Sequence, residues 1–162
     1  MSERLVAIDP GLNECGLALF VDGVLWFTEL IQSPELDKTM PIDERVGAMA
    51  NALNSRIGEC GATGLIVERM EPRGSRSDAW SSLIDLAMIG GSTLSHGAPV
   101  LYLRPSSWTG GRTKKINHLR IRKRLSAQET RNLEAGLRDC PAANHKEILD
   151  AVGLGLFHLE RL

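Results

Sequence analysis

Four carboxylates in this 162-residue chain stand where an acid is costly unless it does chemistry: Asp9, Glu68, Glu147 and Asp150. Asp9 closes the run Leu5-Val6-Ala7-Ile8 just before Pro10-Gly11, and Glu68 closes Gly64-Leu65-Ile66-Val67. A short apolar run bounded by a turn signal fits a strand buried on both faces. Burying the acid at its end is unfavourable unless the charge meets a partner or a metal ion. If the two strands are parallel neighbours, both acids emerge at one sheet edge, where open α/β sheets place their ligands. Glu147 and Asp150 lie three apart near the start of the last helix, on one side of it. That helix, set against the same sheet, completes a four-carboxylate cluster. Like charges so close repel and raise one another's pKa. A hard divalent cation removes the conflict, and oxygen ligands suit magnesium, with manganese as a substitute. Two ions about 3.5–4 Å apart activate water and stabilise the leaving oxygen in phosphodiester cleavage.

Each acid also has a plainer explanation. Asp9 before Pro-Gly is a turn residue in many chains. Glu68 can pair with Arg69 or Arg73 as a surface ion pair. Glu147, three residues after Asn144, can close a capping box. Asp150 lies a turn further on beside the apolar stripe, where a lone carboxylate is least expected. His145, next to the acidic pair, is a candidate ligand or general base, whereas His96, His118 and His158 show no ligand spacing. Neither a phosphate loop, a dinucleotide fingerprint nor a serine nucleophile elbow is present.

The formal net charge of -1 hides an asymmetry. Between Gly111 and Arg131 stand Arg112, Lys114, Lys115, Arg120, Arg122, Lys123, Arg124 and Arg131 against Glu129 alone, a net +7. A helix face that is only solvated is more often laced with acids, so this block points to a polyanionic partner. A second basic stretch, Arg69 to Ser77, follows Glu68 directly. Three scattered cysteines, Cys15, Cys60 and Cys140, form neither a disulfide framework nor a zinc site. No apolar run approaches the roughly 20 residues that cross a bilayer, and Met1 to Arg4 carries no signal-peptide pattern. The expectation is a cytoplasmic protein forming a single domain over residues 1–162.

The elements that must position the acids follow from periodicity. After the first strand, Cys15–Phe20 and Val24–Ile31 read as strands joined by the hairpin turn Asp22-Gly23. Val46, Met49, Ala50, Leu53 and Ile57 mark one stripe of a helix, with Gly58 and Gly61 as stop signals. Residues 64–68 form the fourth strand, Asp78 to about Ser95 a helix with apolar residues on more than one face, and residues 99–103 the fifth strand. Short turn or helix at 106–108, helices over Lys114–Leu125 and Glu129–Leu137, and a last helix from Asn144 as N-cap to about Arg161 complete the chain. The class is α/β: a mixed five-stranded sheet, an antiparallel meander of three strands plus two parallel ones, flanked by helices.

Taken together these motifs resemble the RuvC-type Holliday junction resolvases. Ile8-Asp9-Pro10-Gly11 with Gly16 resembles their first motif, Leu65-Ile66-Val67-Glu68 their second, and Glu147-Ile148-Leu149-Asp150-Ala151-Val152 their last. The order of elements matches over nearly the whole chain. The resemblance implies an RNase H-like fold, a homodimer, and magnesium-dependent cleavage of four-way or branched DNA, with Asp9, Glu68, Glu147 and Asp150 as catalytic metal ligands for two ions. Glu147 stands where the family usually has Asp or His. Arg69, Met70, Arg73 and Arg76 would approach the junction centre, and Arg112, Lys114, Lys115, Arg120 and Lys123 the DNA backbone. The segment Ser126–Asp139 is longer than in the bacterial resolvases, which hints at a divergent branch such as phage-encoded versions. Three rivals stay open: a nuclease on the same fold acting on RNA–DNA hybrids, a non-catalytic junction-binding protein, and a nucleotide-binding relative of the actin-like ATPases.

Overall fold

A computed structural model of the chain describes residues 2–32, 39–69 and 87–162. Its centre is one five-stranded sheet in the order β3-β2-β1-β4-β5. Strands β1 (Arg4–Asp9), β2 (Glu14–Val21) and β3 (Val24–Gln32) form the antiparallel meander, and β4 (Gly64–Glu68) and β5 (Val100–Leu103) run parallel to β1. The turn between β2 and β3 places both Asp22 and Gly23 at positive φ, the geometry a tight two-residue hairpin requires. The mixed five-stranded sheet flanked by helices is the architecture the sequence implied.

Strand alternation sorts the core into two layers. Val6, Ile8, Leu65 and Val67 face helix α1 (Ile42–Cys60), which lays down Val46, Met49, Leu53 and Ile57 at helical spacing. Leu5, Ala7, Ala18, Phe20 and Ile66 face the other way, against α5 (Ala127–Arg138) and α6 (His145–His158). Continuing the alternation by one step carries Asp9 and Glu68 onto the α6 face. The register confirms that they are neighbours, because β1 and β4 pair in parallel with Ile8 opposite Val67.

Three sequence expectations shift. Helix α1 passes through Gly58 and stops at Cys60, where Gly61 takes the left-handed conformation (φ 60°) and its N–H returns to the Gly58 carbonyl. Asn144 holds the N-cap position of α6 as expected but makes no capping hydrogen bond: its backbone is helical and its side chain donates instead to Glu14 Oε1 at 2.6 Å. Helix α5 begins at Ala127, earlier than the apolar spacing suggests, because Ser126 and Glu129 form a reciprocal capping box. The helix expected over residues 78–95 is described from residue 87 only: α2 is helical over 87–92 and passes into a 3₁₀ turn, Thr93–His96. Two further helices, α3 (Pro105–Thr109) and α4 (Lys114–Arg124), cross from β5 toward the acid end of the sheet.

Helix α5 also closes the outer side of β3. The Leu25 N–H donates to Glu129 Oε1 at 2.9 Å, and the Leu25 carbonyl accepts from Asn132 Nδ2 at 2.9 Å. Arg161 then reaches back from the C-terminal turn to both Glu129 oxygens, at 2.8 and 2.9 Å.

Candidate active site

At the C-terminal ends of β1 and β4 the acids converge. Carboxylate oxygens of Asp9, Glu147 and Asp150 all lie within 4.8 Å of one another. Glu68 adjoins this trio through a side-chain hydrogen bond with Asp9. Asp9 is 7% exposed and Asp150 is 2% exposed, so the cluster is largely out of solvent. Burial pushes Asp9 well above the usual carboxylate range, and Glu68, Asp150 and Glu147 push it further. Burial raises Glu68 as well, against hydrogen bonds from Trp108 and Asp9 and the Lys114 charge, which act to lower it. The donor set is all carboxylate, and its mutual repulsion is what a hard divalent cation relieves. The residues therefore fit such an ion.

Two close approaches set this geometry. A Cβ on Gly16 of β2 would lie 2.0 Å from the Glu147 carbonyl oxygen, so only glycine lets the first turn of α6 sit this close to the sheet. This seat brings the Glu147 side chain to Asp9. A Cβ on Gly153 would lie 2.7 Å from the Trp108 ring. The bare α6 surface there admits the indole, whose Nε1–H donates to Glu68 Oε1 at 2.9 Å.

Asp150 carries two partners from α4. Lys114 Nζ lies 2.5 Å from Oδ2, and His118 Nε2 lies 2.8 Å from Oδ1. Burial would pull the Lys114 ammonium down, but the hydrogen bond and charge of Asp150, with Asp9 and Glu147 behind it, raise it. Lys114, expected on DNA phosphates, thus turns into the acid cluster. His118, set aside for lack of ligand spacing, joins it. Both follow from helical geometry, since Lys114, Asn117, His118 and Ile121 form the inward stripe of α4. His145 faces the Cys140 carbonyl at 3.3 Å, away from the acids.

A cleft of about 470 Å³ opens beside the cluster, lined by Glu68, Ser106, Trp108, Arg112, Lys114 and Asp150 among others. The exposed Arg69 continues its rim from the end of β4, its N–H held by the Leu103 carbonyl at 2.7 Å. Arg112, Lys115 and Lys123 are exposed, whereas Arg120 is half-buried and bonded to Asn117 Oδ1 at 3.1 Å. Met70, Arg73 and Arg76 lie outside the described residues.

No protein-family model and no curated protein matches the chain. Solved structures do. The Thermus thermophilus RuvC structure in complex with a Holliday junction substrate superposes with a TM-score of 0.68 at 19% identity, over 96% of this chain and 92% of that one. The chain has the RuvC fold. A second T. thermophilus RuvC structure gives a TM-score of 0.63 at 19% identity, over 96% of this chain and 92% of that one. The yeast mitochondrial Holliday junction resolvase Ydc2 gives 0.62 at 14% identity, over 97% of this chain and 78% of that one. In the RuvC fold of this chain the four acids occupy the ends of β1 and β4 and the first turns of α6. Among the described residues no helix is long and apolar enough to cross a membrane.

Proposed function

We propose that residues 1–162 act as one RNase H-like nuclease domain, a structure-selective DNA endonuclease that resolves four-way or branched junctions. The observation that carries this is the convergence of Asp9, Glu147 and Asp150 within 4.8 Å, with Glu68 beside Asp9 at the end of the neighbouring strand. Asp9, Glu68, Glu147 and Asp150 are the proposed holders of magnesium or manganese, with Asp9 central and two ions in the working site. Bound there, divalent ions supply activation of the attacking water and stabilisation of the leaving oxygen. In-line attack on the phosphorus breaks the bond to the 3′ oxygen, leaving a 5′-phosphate and a 3′-hydroxyl that can be religated.

The remaining residues bind and orient. Asp9 and Asp150 are buried, so the surrounding packing fixes where their carboxylates stand. Lys114 and His118 fix the Asp150 carboxylate from α4. Exposed Arg69, Arg112, Lys115 and Lys123 meet the phosphate backbone. Affinity from these contacts is salt-dependent and carries little sequence information, so junctions are chosen by shape and deformability. The homodimer reading is supported by Met88 and Leu94, which are 59% and 61% exposed on the α2 side of the sheet. A two-fold dimer presents two sites to paired strands of a two-fold junction.

The deciding experiment is cleavage of a mobile four-way junction with magnesium, beside linear, forked and RNA–DNA hybrid substrates, with Asp150→Asn in parallel. The expected result is paired nicks in the junction alone and none from the variant. Preferred hybrid cleavage would move the assignment to RNA–DNA substrates. Undiminished cleavage by Asp150→Asn would sink the catalytic role of the cluster.

A further inference from the structure

Glu68 is held differently from the other three acids. Asp150 has Lys114 and His118 on its two oxygens, and Asp9 and Glu147 close the trio with it. Glu68 stands at the margin of that group, half-buried, on the wall of the cleft. A glutamate there has several rotamers, and ordering them at the moment of cation binding costs free energy.

Trp108 removes that freedom. The residue is 4% exposed, and its ring packs from α3 onto α6 at Gly153. A Cβ at Gly153 would meet Trp108 Cζ3 at 2.7 Å and Ile121 Cδ1 at 2.8 Å, so the slot is shaped to the ring and leaves no room to translate. Indole is a donor only, with one N–H. That N–H is aimed at Glu68 Oε1, at 2.9 Å across forty residues of sequence. A plain core tryptophan would satisfy its N–H on any nearby carbonyl. Here the single polar atom of a buried side chain lands on a carboxylate of the acid cluster.

We propose that Trp108 is a positioning residue for Glu68, its indole N–H holding Oε1 so that the carboxylate stays beside Asp9, ready for the divalent cation. The proposal rests on the metal-nuclease reading above. Neutral donors that orient ligating carboxylates typically change metal affinity by about 10- to 100-fold when removed. Trp108→Phe is the sharp variant, because it keeps an aromatic ring in the Gly153 slot and deletes the N–H.

The test is manganese binding to the DNA-free protein, read by electron paramagnetic resonance. Trp108→Phe should bind manganese about 10- to 100-fold more weakly than wild type, with junction affinity in EDTA unchanged. A wild-type affinity in Trp108→Phe, where Glu68→Gln has lost binding, overturns the role of Trp108 alone. If Glu68→Gln and Asp9→Asn also bind manganese like wild type, the metal site itself is wrong. A second measurement uses the unmodified protein, so it stands even if the variant folds poorly. In the ¹⁵N–¹H spectrum the Trp108 indole cross-peak should move on adding magnesium while that of exposed Trp26 stays, and this shift should vanish in Glu68→Gln. An unmoved Trp108 peak in a protein that binds magnesium counts against the proposal.

Discussion

Asp9 and Glu129 are both buried carboxylates, 7% and 2% exposed, and the protein treats them in opposite ways. Burial alone raises either one. Around Glu129 that rise is more than offset: Arg161 hydrogen-bonds both oxygens, and the Leu25 and Ser126 N–H groups add to it, holding the group down to about 2. Around Asp9 the neighbours are Glu68, Asp150 and Glu147, and each pushes it further up. The first acid is a finished structural joint. The second is an unbalanced charge that folding alone does not resolve. Between these two acids burial therefore does not tell the structural one from the functional one, but the sign of the surroundings does.

The comparison breaks most visibly at Asp9. Asp9→Asn should abolish magnesium-dependent junction cleavage. It should also make the metal-free protein more stable, since one repelling charge is gone; a rise of about 2–4 °C per kcal/mol is expected for a domain of this size. Differential scanning calorimetry in EDTA checks this, and a fall in melting temperature would contradict the account of Asp9. Glu129→Ala should do the reverse. Removing one partner of a buried ion pair costs about 3–5 kcal/mol, measurable by urea unfolding, while cleavage below the lowered melting temperature stays near wild type.

The pH dependence of stability separates the two acids again. Glu129 has a folded-state value below its ordinary one, so its contribution is complete above about pH 4.5 and fades as the pH falls toward about 2. Asp9 is raised, so in the metal-free protein it opposes folding at neutral pH, and that cost fades as the pH falls to the ordinary carboxylate value of 3.8. Wild type and Asp9→Asn should therefore converge in stability on acidification to that value, and wild type and Glu129→Ala only in stronger acid. Urea titrations at stepped pH read both.

A change that carries no charge sharpens the comparison further. Gly16→Ala places a methyl where the Glu147 carbonyl now lies, 2.0 Å away. Forcing α6 outward should cost about 1–3 kcal/mol and weaken cleavage, while the Glu129–Arg161 joint, far from this seat, keeps its pH signature. The smallest effect belongs to the exposed Lys115. Lys115→Ala should lower junction affinity modestly and reduce the salt slope of binding by about one, seen in filter binding across potassium chloride.

Much of this was legible in the residues. Strand-then-acid at Ile8-Asp9 and Val67-Glu68 is readable because a doubly buried strand leaves little else for a terminal carboxylate to do, and the parallel pairing confirmed it. Glu147 and Asp150 were readable from their spacing. The donors that surround them were not. The inward stripe of α4 is Lys114, Asn117, His118 and Ile121, three polar residues where a core stripe would be apolar, so the helix looks basic all round. Trp108 resembles any core aromatic until Gly153 and Glu68 are placed beside it. Asn144 looked like a hydrogen-bonding cap because nothing local reveals that Glu14 takes its side chain. The Ser126-x-x-Glu129 spacing, which apolar periodicity alone passes over, is the capping box that sets the true start of α5. Its Glu side chain also serves Arg161 and Leu25, which only the tertiary structure joins.

The way α5 meets β3 bears on how the molecule associates with its own kind. A sheet ends at two outer strands, and exposed main-chain groups along such a border invite another chain to add a strand. On the β3 border the Leu25 amide and carbonyl are already occupied by Glu129 and Asn132. An incoming strand would have to displace two side-chain hydrogen bonds, one of them anchored by Arg161. Helix α5 thus acts as a guard against uncontrolled strand-to-strand polymerisation, leaving any ordered self-association to the opposite flank of the sheet.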